Sequence, residues 1–402
     1  MTTQKIVGVG LISVGWMGKV HSRAYQAIPV VYPELGITPR LVIAADTEPS
    51  RVDYARDVLG FEAGTLDYHE VLAHPDVDVV SICAPNFLHA EIGIAAAKAG
   101  KAFWIEKPVG RGVVETRSVE AAANEAGVAS SIGFNYRHAP AIEKIKQLVA
   151  DGSLGRITNV RGTFFADYSS EPNGALSWRF KRSLAGSGVL GDLMGHLVDL
   201  IHYVGGPIGS ISALTSTVHT QRPIQQMGKG THFDVIEGGE LGDVENEDYA
   251  AMLFRFADSA VAAGAVGTLE ASRVSVGPRA SYNIEIYGTE GSVKWDFERM
   301  NEFEIALGRT GDLLGYKRVM ANPNFGDFGH FQPGAGTGMG FDDLKVVEAR
   351  KFLEAFTDTA HLNSNIHDAV AAAAVCDAAE QSAESGQWVE LPAVAGVTAA
   401  TR

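Results

Sequence analysis

Short apolar runs alternating with helix-periodic segments through residues 1–135 constrain this chain more than any other feature. Residues 6–12 are nearly continuous apolar, as in a parallel strand covered on both faces. Ser13-Val14-Gly15-Trp16-Met17-Gly18 follows as a turn, and residues 19–28 carry helical spacing with Val20, Ala24 and Ala27 on one side. The same reading gives strands at 41–45, 77–84, 101–105 and 129–134 and helices at 49–59, 89–99 and 113–126. Strands separated by helices pair in parallel through crossovers, so residues 1–135 are predicted to form a doubly wound parallel α/β sheet. Residues 29–39 read as an extended loop before the second strand.

After residue 136 the rhythm changes. A helix at 140–150 leads to a strand at 157–165, and a helix opens near 188–191 and runs to 203. Strand-like runs follow at 211–218, 249–256, 260–270, 282–288, 291–296 and 302–307, joined by turn residues such as Gly288-Thr289-Glu290-Gly291. Helices at 343–359 and 366–385 close the chain. Residues 136–402 are therefore expected to form an α+β domain with a large, mostly antiparallel open sheet. Two polar, glycine-rich stretches, 221–243 with His219 and His232 and 320–340 with Asn322-Pro323-Asn324, read as long excursions bordering a site or a subunit contact.

A chain of 402 residues with 46% hydrophobic and 20% charged residues can bury two cores without disulfides or metals. The net charge of -15 repels phosphate backbones and anionic lipid, which argues against nucleic-acid and membrane partners. Cys83 and Cys376 form no CxxC pair, as expected in a reducing cytoplasm. The first apolar run is too short and glycine-rich for a secretory signal, and no stretch approaches the roughly 20 apolar residues of a membrane span.

Three groups of residues carry chemistry. A glycine turn between strand and helix aims free N–H groups and the helix dipole at an anion. Gly15 would let the backbone approach a pyrophosphate and Gly18 would let helix pack on strand, while Ser13 stands where such a turn usually has its first glycine. Asp46 ends the second strand, where a carboxylate accepts from ribose hydroxyls and repels a 2′-phosphate, favouring NAD; the alternatives are an N-cap ahead of Pro49, or NADP held by Arg51. Lys107, between Glu106 and Pro108 at another strand end, can bond to a substrate hydroxyl, and the Lys107–Pro108 bond is a candidate for cis. Asp192 and His196 are four apart on a helix, a general base with a carboxylate to orient it. A metal held by Asp192, His196 and His202 is the alternative, with no established ligand spacing behind it.

In order and spacing, the glycine turn, Asp46, Ala84-Pro85-Asn86-Phe87-Leu88-His89, Glu106-Lys107-Pro108 and Asp192-x-x-x-His196 resemble the glucose-fructose oxidoreductase/inositol dehydrogenase/rhizopine-catabolism (Gfo/Idh/MocA) family. The resemblance runs from Val7 to about Leu391. Phe134-Asn135-Tyr136-Arg137, Ser177-Trp178-Arg179-Phe180 and Ala185-Gly186-Ser187-Gly188 look most like its levoglucosan dehydrogenase branch. It implies a Rossmann domain, a second domain whose open sheet packs on another subunit in a homodimer or homotetramer, and a catalytic triad of Lys107, Asp192 and His196. It also implies cofactor contacts from Ser13, Gly15, Trp16, Met17, Gly18, Asp46, Ala84, Pro85, Asn86, His89, Glu106 and Lys107. Tyr136, Arg137, Trp178 and Arg179 join the triad as substrate contacts. The implied activity is NAD-dependent oxidation of a secondary hydroxyl of a sugar, anhydrosugar, glycoside or cyclitol. An NADPH-dependent keto-sugar reductase and a non-catalytic sugar sensor on the same fold are the alternatives.

Overall fold

The computed structural model describes residues 5–224, 234–312, 314–358 and 364–392. His232 and the middle of the 221–243 stretch, and Thr359 at the predicted end of a helix, lie outside them.

The chain packs as two units, the first built from Met1–Gly110, Val114–His138 and Asn322–Val370, the second from Arg111–Val113, Ala139–Ala321 and Ala371–Arg402. A single cut at 135/136 does not describe this packing, because a late segment returns to the first unit.

In the first unit, β1 (Lys5–Ile12), β2 (Ile37–Ala45), β3 (Ala63–Thr65), β4 (Val79–Ile82), β5 (Ala102–Ile105) and β6 (Ser130–Ile132) form one parallel sheet in the order β3-β2-β1-β4-β5-β6. Order reverses between β1 and β4, and ligands of such sheets bind outside the strand ends at that point. The crossovers are α1 (Trp16–Val31), α2 (Pro49–Asp57), α3 (Tyr68–Ala73), α4 (Asn86–Lys98) and α5 (Val113–Ala126). Residues 29–39 are not an extended loop. α1 continues through Pro29 to bury Ile28 and put Tyr32 in the core, and β2 starts at Ile37, paired with Lys5. Core burial outweighs the helix-breaking tendency of one proline. β3, Ala63-Gly64-Thr65, had no apolar run to signal it; Gly64 leaves no room for a side chain beside Val52 of α2.

In the second unit α6 (Pro140–Ala150) precedes β7 (Ile157–Phe165). A short α7 (Arg182–Ala185) is followed by a π turn over Leu190–Met194 and by α8 (Gly195–Gly205). Next come β8 (Ile208–Ser216), a small ladder of β9 (Gln221–Pro223) with β10 (Leu241–Asp243), then β11 (Tyr249–Phe256), β12 (Val266–Ser272), β13 (Ser281–Gly288), β14 (Gly291–Asp296), β15 (Glu302–Leu307) and β16 (Lys317–Met320). The nine-stranded sheet runs β16-β15-β14-β13-β7-β12-β11-β8-β17, where β17 is Val389–Glu390. Only β7 with β12 is parallel, so the open, mostly antiparallel sheet is as expected. Residues Arg182–Gly205 meet the length and mean hydropathy of a membrane span, yet 67% of the window is buried in the fold.

Among the late elements, the short α9 (Phe328–Phe331) precedes α10 (Phe341–Thr357), and α11 (Ile366–Ser385) follows. α10 places Val346, Ala349, Phe352 and Leu353 in the same core as Val7, Val9 and Leu11 of β1 and Tyr25 and Ile28 of α1. Each large apolar side chain buried this way contributes about 1.5–3 kcal/mol. That pull makes a helix more than two hundred residues downstream an integral part of the dinucleotide-type unit. The same face carries Lys345 and Glu348 into the interior.

Candidate active site

The glycine turn is built as its residues suggest. Ser13 N–H donates to Ala45 O at 2.8 Å, and Lys19 N–H closes the first helical bond to Gly15 O at 3.1 Å. A Cβ on Gly18 would lie 2.2 Å from Ser13 O, so only glycine lets α1 approach the turn. A Cβ on Gly15 would meet nothing closer than Ser13 Oγ at 4.0 Å; the space over the turn is open, and no side chain caps α1. Uncapped N–H groups facing open space fit a dinucleotide pyrophosphate. Ser13 has φ 75°, the single positive φ outside glycine among the described residues. It thus keeps the left-handed conformation of the glycine it replaces, at an expense of order 1 kcal/mol. Ser13→Gly is expected to raise the unfolding free energy by about 0.5–1 kcal/mol in urea titration, without weakening NAD binding.

Asp46 is buried at the end of β2. Its Oδ2 accepts from Val14 N–H at 2.8 Å and its Oδ1 from Glu48 N–H at 3.0 Å. The carboxylate therefore locks the glycine turn to β2, and the N-cap position of α2 belongs to Glu48 instead. Arg51 Nη1 stands 3.7 Å from Asp46 Oδ2 with a half-exposed side chain.

Past β4, Ala84 is buried, Pro85 occupies the N-cap position of α4, and Asn86 is its first residue. His89 is not an open nicotinamide contact. It is buried, with Nδ1 2.6 Å from Pro108 O and Nε2 2.6 Å from Ala84 O, so it ties the start of α4 to the segment after β5. Burial lowers its pKa. The Lys107–Pro108 peptide is cis, as anticipated, and Lys107 is half-buried just beyond β5.

Glu106, the residue before Lys107, joins a buried polar network whose other members no sequence motif announced. Glu106 Oε1 accepts from His21 Nε2 at 2.9 Å and from Lys345 Nζ at 2.6 Å, and Lys345 also donates to Glu348 Oε2 at 2.8 Å. His21 Nδ1 meets Ser81 Oγ at 3.1 Å, and its ring stacks on Trp104 with centroids 3.5 Å apart. Because Nε2 faces a carboxylate, that nitrogen carries the proton and Nδ1 accepts from Ser81. Burial lowers the His21 pKa to about 4, so the ring is neutral at neutral pH. Two carboxylates share one buried ammonium. Burial alone would push the Glu106 carboxyl up, but Lys345 and His21 hold it far below the ordinary value. Burial pushes Glu348, whose Oε1 has no partner, up to about 8. Glu106 is thus the charged member, and the partners it faces are His21 and Lys345.

Trp16 is exposed on the glycine turn and stacks on Phe341, centroids 5.5 Å apart, with Tyr136 edge-on to Phe341 at 6.2 Å. Met17, the next residue of the turn, is half-buried. Arg137 departs from the substrate role expected of it: it is buried, and its Nη1 donates to Asp368 Oδ2 at 3.1 Å.

In the second unit, Asp192 lies in the π turn and His196 in the first turn of α8. π turns are rare and recur at functional sites. The segment is held by Glu247, which is buried; its Oε1 accepts from Gly188 N–H at 2.8 Å and Leu190 N–H at 2.9 Å. Burial pushes the Glu247 pKa up. Tyr282 Oη donates to His196 O at 2.7 Å, and Tyr168 Oη donates to Asp192 Oδ2 at 2.5 Å. Trp178 and Arg179 share a 3-10 turn capped by Ser177, with the guanidinium 4.4 Å over the indole. Asn246 Nδ2 donates to Arg179 O at 2.8 Å, and Phe180 is sandwiched between Arg222 and Arg273. Glu247, Asn246 and Tyr168 were not legible in the sequence, because each acts across a long separation with no local spacing. Among the described residues no three His, Cys, Asp or Glu side chains are grouped to hold a metal.

A six-stranded parallel sheet with an uncapped glycine turn at its switch point defines a dinucleotide-binding architecture, and the α+β unit carries Asp192 and His196 four residues apart. Residues 6–134 match the model of the oxidoreductase family with an NAD-binding Rossmann fold, and residues 142–294 match the GFO/IDH/MocA C-terminal domain. The chain is 36% identical over 391 residues to levoglucosan dehydrogenase of Pseudarthrobacter phenanthrenivorans, covering 96% of this chain and 99% of that protein. It is 26% identical over 389 residues to inositol 2-dehydrogenase of Rhizobium meliloti, covering 96% and 99%. A solved levoglucosan dehydrogenase in complex with NADH and levoglucosan superposes with a TM-score of 0.89 at 35% identity, covering 96% of this chain and all of that one, 100%. The chain belongs to the Gfo/Idh/MocA family of oxidoreductases. It is an NAD-dependent oxidoreductase.

Proposed function

We propose that this protein oxidises a secondary hydroxyl of an anhydrosugar or related sugar to a ketone, with levoglucosan the first substrate to test and inositols the second. The observation that carries this reading is likeness to levoglucosan dehydrogenase along both units, at 36% identity over 99% of that protein. Ser13, Gly15, Trp16, Met17 and Gly18 would hold the pyrophosphate, Asp46 the ribose, and Ala84, Pro85 and Asn86 the nicotinamide side. Bound NAD supplies the hydride acceptor. His196 takes the hydroxyl proton as general base, Asp192 orients it, and Lys107 donates to the oxygen as negative charge develops there. Trp178, Arg179 and Tyr136 line the sugar. The test is NADH formation with levoglucosan, inositols, glucose, xylose and glycosides. Turnover of levoglucosan is the expected result; no NADH from any of them, with NAD bound, overturns the reading in favour of a sensor.

Arg51 stands beside Asp46, so the preference for NAD over NADP is tested directly. A 2′-phosphate would stand against a buried carboxylate, so NAD is expected to bind at least about tenfold more tightly than NADP in fluorescence titration. The reverse order would make the protein an NADP enzyme and favour keto-sugar reduction. Leu253, Val266 and Trp388 leave apolar surface exposed on the large sheet, which supports a homodimer or homotetramer formed through it. The cytoplasm is the proposed compartment, on the two thiols Cys83 and Cys376, neither of them in a disulfide.

A further inference from the structure

Tyr168 lies just beyond β7, where the pairing of β7 with β12 continues past both strand ends. Ala166 N–H donates to Ser272 O at 2.9 Å, Ser169 N–H to Arg273 O at 2.9 Å, and Ser275 N–H to Ala166 O at 3.1 Å. Arg273 is buried and fixed in turn by Asp248 at 2.8 Å and Asn246 at 2.9 Å. A side chain on backbone held from both sides arrives at its partner pre-oriented. The phenol donates to Asp192 Oδ2 at 2.5 Å. The charged groups facing the phenol are Asp192, Arg273 and Arg179; His196 follows Asp192 by four residues on the same helix. Burial and the adjacent carboxylate push the phenol pKa well up, so Tyr168 keeps the proton it donates to Asp192. Asp192 itself sits in a π turn, off the regular helical register, where an outside contact must define its orientation.

We propose that Tyr168 is a positioning residue for the dehydrogenation: its hydroxyl, bonded to Oδ2, holds Asp192 in the orientation that serves the histidine and the sugar. This rests on the reading of Asp192 and His196 as the proton-handling pair. A carboxylate that loses a donor is harder to ionise, so its pKa rises. In Tyr168→Phe, kcat with levoglucosan and NAD falls about 10- to 100-fold. The acid limb of kcat/KM moves to higher pH by about one unit, and the NAD dissociation constant stays put.

The decisive measurement is a double-mutant cycle with Asp192→Asn, using single-turnover rates at high enzyme concentration. Tyr168→Phe should have little further effect once Asp192 is neutral. An equal loss in both backgrounds, an unmoved acid limb, or a melting temperature more than about 10 °C below wild type, which would mark a structural role, overturns the inference. Asp192→Asn at the wild-type rate instead overturns the site assignment and the inference with it. If wild type leaves levoglucosan untouched, the cycle is run on whichever sugar the substrate panel shows to be oxidised. If none is oxidised, the function reading fails and takes this inference with it.

Discussion

His196→Ala and Lys107→Ala each lower kcat by about 10²- to 10⁴-fold while NAD affinity stays within a factor of about three. His196 is buried at the start of α8, with its backbone carbonyl accepting from Tyr282, so its removal deletes an imidazole from a fixed place. In the proposed mechanism, loss of that base leaves the hydroxyl proton to go to water as the alkoxide forms. Lys107 is proposed to oppose the same developing charge, so its loss is expected to act on the transition state more than on ground-state binding. Steady-state kinetics on the sugar found in the substrate panel, with NAD titrated by fluorescence, checks both. Rates near wild type in either variant would refute the role given to that residue.

Lys345→Met destabilises the protein by about 3–5 kcal/mol. The ammonium is 1% exposed and lies between Glu106 and Glu348, so its removal strands a buried carboxylate that only His21 still serves. Because taking out both charges avoids that stranding, Lys345→Met with Glu106→Gln should recover much of the loss in urea titration. A double variant no more stable than the single one would show that packing, and not charge, is what Lys345 supplies. The network also sets a pH dependence. Glu348 has its pKa raised from 4.5 to about 8, so the native state keeps a proton that the unfolded chain has released. Stability is therefore lost as pH rises from about 4.5 to 8. Glu106 works in the opposite sense: its depressed pKa contributes stability above 4.5 that is lost as pH falls. Glu348→Gln mimics the protonated carboxyl, so the drop in melting temperature between pH 6 and pH 9 should shrink.

The chain's local order determined the layout of both halves. The alternation of apolar runs with helices forces crossovers and hence a parallel sheet, and β1, β4, β5 and β6 fall where their hydrophobic runs place them. The glycine turn and the cis Lys107–Pro108 bond could be read because each depends on residues at most five apart. Pro29 misled because proline's local preference was overridden by the burial of Ile28 and Tyr32.

Tertiary structure alone decided which polar side chains face one another. Arg137 turned to Asp368, His89 to two backbone carbonyls, Glu106 to His21 and Lys345, and Asp192 to Tyr168. These partners lie up to 239 positions apart along the chain. Hydrophobic burial repeats with a period that a sequence displays, whereas a hydrogen bond between distant segments leaves no spacing to read. It exists only once the cores have closed and left a buried charge that must find its counterpart.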